Sequence, residues 1–292
     1  MKYIFILPVK DDWLTLVRLI EKINLLLKNK FNYHFIVVDD SKSVNNNLNN
    51  IKNLTLINGG SIGLGYAIYI GIKSALEVSE EGDYFCIVDT DGQVEVKDIL
   101  KFFSKKDQYP ETDIFLSSRF LQKDLIKYKY PFLNLIGTKL LKSIINFYTN
   151  YKVTDSHGGI RLFKYNVGKK IKILGEHTYI QEFLLDAYDH GFKVQEIPTV
   201  WLIREFGKSK VVSSILKYAF NVAPILFVKT NLHKMILYNL GIFFLFFFFY
   251  KLFFDFQFNN SFFVLMLSVV FFLAGYILEI GKMLLLSEKY KK

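Results

Sequence analysis

Cysteine is nearly absent from this chain of 292 residues, which holds one, Cys86. A lone cysteine excludes an internal disulfide framework, and one inside an apolar run fits a reducing compartment. Tryptophan is scarce as well, at Trp13 and Trp201 alone. The chain has no internal repeat. No nucleic-acid-binding motif accompanies its net charge of +10, so no nucleic-acid partner is expected. A dinucleotide fingerprint is missing too. Gly60-Ser61-Ile62-Gly63-Leu64-Gly65 lacks the G-x-G-x-x-G spacing and lies too far into the chain. Its glycines are expected to give a tight turn and close helix packing instead. Met1 to Val9 is apolar, but the run is short and Lys10-Asp11-Asp12 follows it instead of small residues. A first β-strand is expected there, not a signal peptide.

What the chain has in excess is apolar surface, with 51% hydrophobic and 17% aromatic residues, concentrated toward the carboxyl end. Fourteen of the nineteen residues from Ile236 to Phe254 are Ile, Leu or Phe. At about 1.5 Å per residue the run is about 28 Å long, close to a bilayer core. Phe262 to Leu278 is a second run, continuing past Glu279 and Lys282 to Leu286, and Asp255 to Ser261 between them is short and polar. The pair reads as a transmembrane hairpin. The alternative is a pair of buried core helices, which the run Phe243 to Phe249, apolar on every face, argues against. His233 and Lys234 before the first run, and Lys289, Lys291 and Lys292 after the second, place both flanks in the cytoplasm. The basic charge gathers beside these runs: 204–234 carries +5 and 282–292 carries +3. Anionic headgroups would attract it. The expectation is an integral membrane protein whose large amino-terminal part is cytoplasmic, at the plasma membrane if the source is bacterial. Spans this rich in Phe leave a homo-oligomer open.

Residues 1–210 alternate strand-like and helix-like stretches. Lys2–Pro8, Phe35–Val38, Leu54–Ile57, Tyr84–Val88 and Asp113–Ser117 read as strands. Trp13–Leu27 has apolar residues at helical spacing, and a second helix runs from the glycine-rich turn to Ala75. This order argues for an α/β domain with a largely parallel sheet, in which ligands bind at the carboxyl ends of the strands. Asp39, Asp40, Asp89 and Asp91 fall at such ends. Asp89-Thr90-Asp91-Gly92-Gln93, directly after the apolar run Tyr84 to Val88, is the most informative stretch. Two carboxylates at i and i+2 lean to one side of an extended chain. Such a pair suits a hard divalent cation that keeps waters and takes phosphate oxygens; the alternative is an acidic turn capping the next helix. Residues 211–234 mix apolar residues with Lys217, Lys229 and Lys234 and are interrupted by Pro224. They read as one or two interfacial helices, or as a last packing helix of the soluble part.

The motifs occur in a recognisable order. Pro8-Val9-Lys10-Asp11-Asp12 is followed by Val37-Val38-Asp39-Asp40-Ser41, Gly63-Leu64-Gly65-Tyr66-Ala67 and the Asp89–Gln93 stretch. Then come Ser117-Ser118-Arg119, Thr154-Asp155-Ser156-His157-Gly158-Gly159-Ile160-Arg161, Glu196-Ile197-Pro198 and Arg204-Glu205-Phe206-Gly207-Lys208-Ser209-Lys210. This series resembles the GT-A-fold polyprenyl-phosphate glycosyltransferases, relatives of dolichol-phosphate mannose synthase and bactoprenol glucosyltransferase, over about residues 3–210. Departures from the family pattern lie at Lys10-Asp11-Asp12, where Tyr-Asn-Glu is usual, and at Ser41 and Gly158, where Gly and Ser are usual. Lys208 also departs, standing where the family has Glu.

The resemblance implies a Rossmann-like GT-A catalytic domain over 1–210, interfacial helices over 211–234, two transmembrane helices over 235–286 and a basic tail over 287–292. It implies inverting transfer of one sugar from a nucleotide-sugar, of the UDP-hexose or GDP-mannose type, to a polyprenyl phosphate. The product would be a lipid-linked monosaccharide for cell-surface glycan assembly. Asp89, Asp91 and Gln93 would hold Mg2+ or Mn2+, with Asp89, Asp91, Asp155, Arg119 and Arg161 forming the catalytic set. Pro8, Asp11, Asp39, Asp40, Gly65 and Asp89 would bind the nucleotide-sugar. Arg119, Arg161, Arg204, Ser209 and Lys210 would bind the acceptor phosphate. Asp155 would orient the acceptor loop or one of these arginines, or be purely structural; Glu182 and Glu196 fit family positions but also read as surface or scaffold acids, and His157 reads as a loop residue and not a ligand. A processive polysaccharide synthase is a rival, but neither tryptophan follows an Arg, as the Gln-x-x-Arg-Trp motif of those enzymes requires. A membrane-anchored nucleotide-sugar binding protein without catalysis, and an accessory transporter subunit, are the non-enzymatic rivals.

Overall fold

The computed structural model of the chain describes residues 1–42, 51–176, 179–204, 222–223, 225–226, 229–254 and 258–289. The chain divides into two compact units, Met1–Val222 and Ala223–Lys292.

The first unit is built on a seven-stranded sheet in the order β3-β2-β1-β4-β6-β5-β7. Its centre is β1 (Tyr3–Val9), buried at every position, as expected of an apolar strand covered on both faces. β1 pairs in parallel with β2 (Tyr33–Asp39) on one side and β4 (Tyr84–Val88) on the other, and β3 (Leu54–Asn58) continues in parallel beyond β2. β6 (Ile160–Lys164) then runs antiparallel to both β4 and β5 (Ile114–Ser118). β7 (Val194–Pro198) lies parallel to β5. The sheet is therefore mixed, mostly parallel with one reversed strand. The run Ile160 to Lys164 carries no sign of strand direction, so the reversal was not legible beforehand.

α1 (Trp13–Leu27) buries Leu16, Leu19, Ile20, Ile23 and Leu27, an i, i+3, i+4, i+7, i+11 series that forms one helical face. These side chains join Phe5, Leu7, Phe35, Val37, Phe102 and Phe103 in the main core. α2 (Leu64–Glu77) starts after Gly63, and the tight turn expected before it holds Gly60 at φ +71°. α3 (Ile99–Gln108), α4 (Phe132–Thr149), α5 (Tyr165–Lys170) and α6 (Ile180–Asp189) complete the unit.

The second unit is a helix pair, Leu232–Phe254 and Phe258–Lys289. Tyr238 meets Phe272, Phe244 stacks on Phe271 at 5.4 Å, and the Ser268 hydroxyl donates to the Gly241 carbonyl at 2.8 Å. Earlier residues of one helix meet later residues of the other, so the pair is antiparallel. Among the described residues one helix is long and apolar enough to cross a bilayer, over Lys234–Phe253. The apolar stretch of the second helix, Phe263–Leu278, is shorter. The polar loop expected over Asp255–Ser261 is not what forms: the second helix already includes residues 258–261. The expected interfacial helices over 211–234 lie largely outside the described residues.

Candidate active site

The strand order reverses at β1. The chain lays β2 and β3 on one side of β1, then returns to lay β4 on the other. In α/β sheets a crevice opens at such a switch point, outside the carboxyl ends of the strands. Pro8, Asp39 and Asp89 stand there, at the ends of three adjacent strands. Thr90 binds the rim together, its hydroxyl donating to the Pro8 carbonyl at 2.5 Å.

Asp39 is fully buried. Its Oδ1 accepts from the Ser41 amide at 2.9 Å, while Oδ2 has no hydrogen-bond partner among the described residues. A buried carboxylate oxygen left without a donor is costly, and a ligand hydroxyl or N–H would satisfy it. Asp40 is fully engaged by contrast: Lys10 Nζ donates to Oδ2 at 3.0 Å and the Gly63 amide to Oδ1 at 3.1 Å. It ties the loop after β1 to the start of α2. Asp11 takes φ +59° and its amide donates to the Ser41 hydroxyl at 2.8 Å. The departures at Asp11 and Ser41 thus form a matched pair. The Gly65 amide donates to the Glu176 carbonyl at 2.7 Å, so that N–H is used within the fold.

Asp89 and Asp91 stand beyond the end of β4, and neither caps a helix; the 3-10 turn Val96–Asp98 is capped by Glu95. Asp89 is half-buried, and burial together with the neighbouring Asp91 pushes its carboxyl up to about 7, against the pull of Arg161, Arg119 and Arg204. Burial also raises Asp91, against Arg204. Two carboxyls raised by burial, one of them also by its neighbour, call for a cation beside them. Arg204 supplies one, its Nη2 donating to Asp91 Oδ2 at 2.5 Å, with both side chains 19% exposed. Gln93 is fixed beside them: its Nε2 donates to the Leu202 carbonyl at 3.2 Å and its backbone carbonyl accepts from the Leu202 amide at 2.8 Å. Among the described residues no group of three His, Cys, Asp or Glu converges. The donor set is therefore a carboxylate pair with an amide nearby, which fits a divalent cation that fills its shell with water and substrate oxygens.

The loop before β6 brings the second half of the site. Arg119 and Asp155 form a buried bidentate pair, Nε to Oδ2 at 2.6 Å and Nη2 to Oδ1 at 2.9 Å, with the Arg119 amide on Oδ2 at 3.1 Å. The guanidinium lies 4.6 Å from the Trp201 ring. Burial alone would raise the Asp155 carboxyl, but Arg119 holds it below the usual carboxylate range. Glu196 clamps the loop from β7, accepting from the Asp155 amide at 2.8 Å and from the Thr154 amide at 2.7 Å. Burial lowers His157 to about 4. The neutral ring bridges Ser156 at Nδ1 and the Gln181 amide nitrogen at Nε2, at 2.9 and 2.8 Å. Glu182 accepts from the Leu174 and Gly175 amides at 2.5 and 2.9 Å, a scaffold role. Arg161 is 1% exposed: Nη1 donates to the Tyr179 hydroxyl at 2.6 Å, Nη2 to the Ser156 carbonyl at 3.2 Å, and Nε has no partner among the described residues.

Two glycines let this loop close on the sheet. A Cβ at Gly158 would lie 1.8 Å from the Ser117 carbonyl oxygen, so the departure there is obligatory in this packing. A Cβ at Gly159 would stand 3.0 Å from Asp89 Oδ2. The structure thus gathers Pro8, Asp11, Asp39, Asp40, Asp89, Asp91, Gln93, Arg119, Asp155, Arg161 and Arg204 around one end of the sheet. Ser209 and Lys210 lie outside the described residues. Tyr130, Tyr179 and Trp201, which position the two buried arginines, were not singled out from the sequence, where isolated aromatics carry no such signal.

The model of glycosyl transferase family 2 matches residues 4–171. An uncharacterized protein of Methanocaldococcus jannaschii is 33% identical over 153 residues, covering 51% of this chain and 60% of that protein. The chain therefore matches less than two thirds of that relative's length. Among solved structures, glucosyl-3-phosphoglycerate synthase from Mycobacterium tuberculosis in complex with Mn2+ and UDP-glucose superposes with a TM-score of 0.58 at 12% identity, over 79% of each chain. The same enzyme with Mg2+ and UDP gives 0.56 at 12% identity, again over 79% of each chain. At this identity the likeness shows the shared fold.

Proposed function

The chain belongs to glycosyl transferase family 2, and on that premise we propose that it transfers one sugar from a nucleotide-sugar to a polyprenyl phosphate, with inversion. The observation that carries the reading is the carboxylate pair Asp89 and Asp91 beside the switch point of the sheet, where Asp39 Oδ2 is buried with no partner among the described residues. Asp39 receives a donor group of the nucleoside. Asp89, Asp91 and Gln93 hold Mg2+ or Mn2+, the ions present in the solved structures of the same fold. A bound cation supplies charge neutralisation for the departing nucleoside diphosphate.

The acceptor phosphate is already an oxyanion at neutral pH, so no strong general base is required. Its oxygen attacks the anomeric carbon while the bond from that carbon to the nucleoside diphosphate breaks, the electron pair leaving with the diphosphate. Arg204 is the cation for the acceptor, because its guanidinium is partly exposed and, among the described residues, is held by a single carboxylate contact. Arg119 and Arg161 contribute fixed positive charge from buried positions. The lipid acceptor is supported by the apolar helix over Lys234–Phe253 and by the order of motifs in the sequence. The two C-terminal helices form a membrane hairpin with the catalytic unit on the cytoplasmic side.

The solved structures of the same fold favour a second reading, a small phosphorylated acid as acceptor. Purified full chain, Mn2+ and labelled UDP- and GDP-sugars are offered polyprenyl phosphate in one arm and 3-phosphoglycerate in the other. Label in the organic phase, at the mass of a polyprenyl phosphate plus one sugar, is the expected result. Label transferred only to phosphoglycerate would replace the lipid reading, and no transfer with either acceptor would favour a binding protein.

A further inference from the structure

α4 has two apolar faces, and only one is covered. Thr138 and Ile145 lie on the buried side. On the opposite side Leu133, Ile136, Leu140 and Phe147 are 63%, 48%, 60% and 77% exposed, and Phe132 extends the stripe at 72%. Leu133, Ile136, Leu140 and Phe147 recur at i, i+3, i+7 and i+14, which lines them along one side of a 3.6-residue helix. A continuous apolar stripe bared to water marks a contact surface.

The rim of the stripe has one sign. Lys139 is exposed on the helix, and Lys127 and Lys129 are exposed on the segment leading into it. No Asp or Glu occurs from Leu125 to Asn150. This rules against a second copy of the chain as occupant, because a two-fold pairing of the stripes would set Lys139, near the middle of the helix, against its own copy. An anionic bilayer surface accepts both parts: the apolar side chains enter the acyl boundary and the lysine heads reach the headgroups.

We propose that α4 is an interfacial helix that seats the catalytic unit on an anionic lipid surface. Its buried face leads directly to the site. The Thr138 and Tyr130 hydroxyls are 3.3 Å apart, and Arg119 Nη1 donates to the Tyr130 hydroxyl at 3.4 Å. A seated α4 therefore holds Arg119 about one helix diameter, roughly 10 Å, from the headgroups, the level at which a lipid-borne phosphate is presented.

Cys86 is fully buried and burial raises its thiol far above the ordinary range, so an introduced surface cysteine is labelled selectively. Spin labels are placed in the full chain at Leu140→Cys and Phe147→Cys, and at Leu25→Cys on α1, where the native side chain is 83% exposed. The chain is reconstituted in phosphatidylcholine vesicles containing phosphatidylglycerol, and relaxation by oxygen is compared with relaxation by a water-soluble nickel chelate. Labels at 140 and 147 are expected to favour oxygen several-fold and the label at 25 to favour the chelate, with immersion reduced several-fold in vesicles lacking phosphatidylglycerol. Equal chelate access at 140, 147 and 25 overturns the proposal. So does shielding from both reagents with spin–spin broadening, the mark of a second copy, and so does immersion unchanged without the anionic lipid. C-terminal spans can hold the chain to a vesicle while α4 stays in water, so this readout stands apart from the hairpin reading.

Discussion

Two arginine–carboxylate pairs share the site and are built in opposite ways. Arg119 and Asp155 are both buried, joined by two side-chain hydrogen bonds and one from the backbone, and the loop carrying Asp155 is itself clamped by Glu196. Arg204 and Asp91 touch once, at 2.5 Å, with each side chain 19% exposed. Opening the first pair strands two charges in a dry place, which the fold cannot tolerate. Opening the second lets water reach both partners at little cost. The first pair is scaffold, and the second is a counter-ion arrangement that a divalent cation can replace. The same residue types, read from the sequence as one set of site candidates, divide by burial into a pair that is sealed within the fold and a pair that solvent can reach.

The largest effect expected from breaking this comparison is on stability. Asp155→Ala leaves Arg119 buried without its carboxylate and should cost about 3–5 kcal/mol, read as a lower denaturant midpoint of the full chain. Unchanged stability would move Asp155 out of the scaffold. Asp91→Asn should do the reverse: the unfolding midpoint stays within experimental error while sugar transfer falls by on the order of 10²–10³. Full activity in that variant would remove Asp91 from the cation site. Arg204→Ala should tighten Mn2+ binding in the absence of nucleotide by about fivefold, the size of a partly exposed ion pair of about 1 kcal/mol; calorimetry that finds weaker binding contradicts the counter-ion role.

The smallest effect is a pH dependence on the scaffold side. His157 is lowered to about 4 in the fold and returns to an ordinary value near 6.5 when the chain unfolds. The unfolded chain therefore binds a proton first, so stability is full above about pH 6.5 and falls as pH drops toward 4. For this partly exposed ring the slope should stay below about 1 kcal/mol per pH unit. His157→Gln should flatten it, as shown by melting temperatures across that window.

Much of the fold was legible because central strands and amphipathic helices write their periodicity locally. The expected helix Trp13–Leu27 and strand Tyr84–Val88 form with those bounds, and the strands expected near Lys2, Phe35, Leu54 and Asp113 form within two residues of their expected ends. β6 and β7 were missed because short mixed runs such as Ile160 to Lys164 owe their strand state to neighbours far away in sequence. The second apolar run, read from Phe262 to Leu286, lies within the longer helix Phe258–Lys289, since hydropathy is blind to where a helix begins. At the site, the carboxylates at strand ends were legible from position alone. The Arg204–Asp91 contact joins residues 113 apart, and no local pattern encodes it. The departure at Gly158 was visible but unexplained until Ser117 was seen against it.

An Mn2+ titration followed by electron paramagnetic resonance, with and without UDP, tests the division of the site most directly. The native chain should bind Mn2+ at one site that UDP tightens, Asp91→Asn should lose that site, and Arg119→Lys should keep it. Equal Mn2+ binding in the native chain and Asp91→Asn would contradict the assignment of the carboxylate pair to the cation.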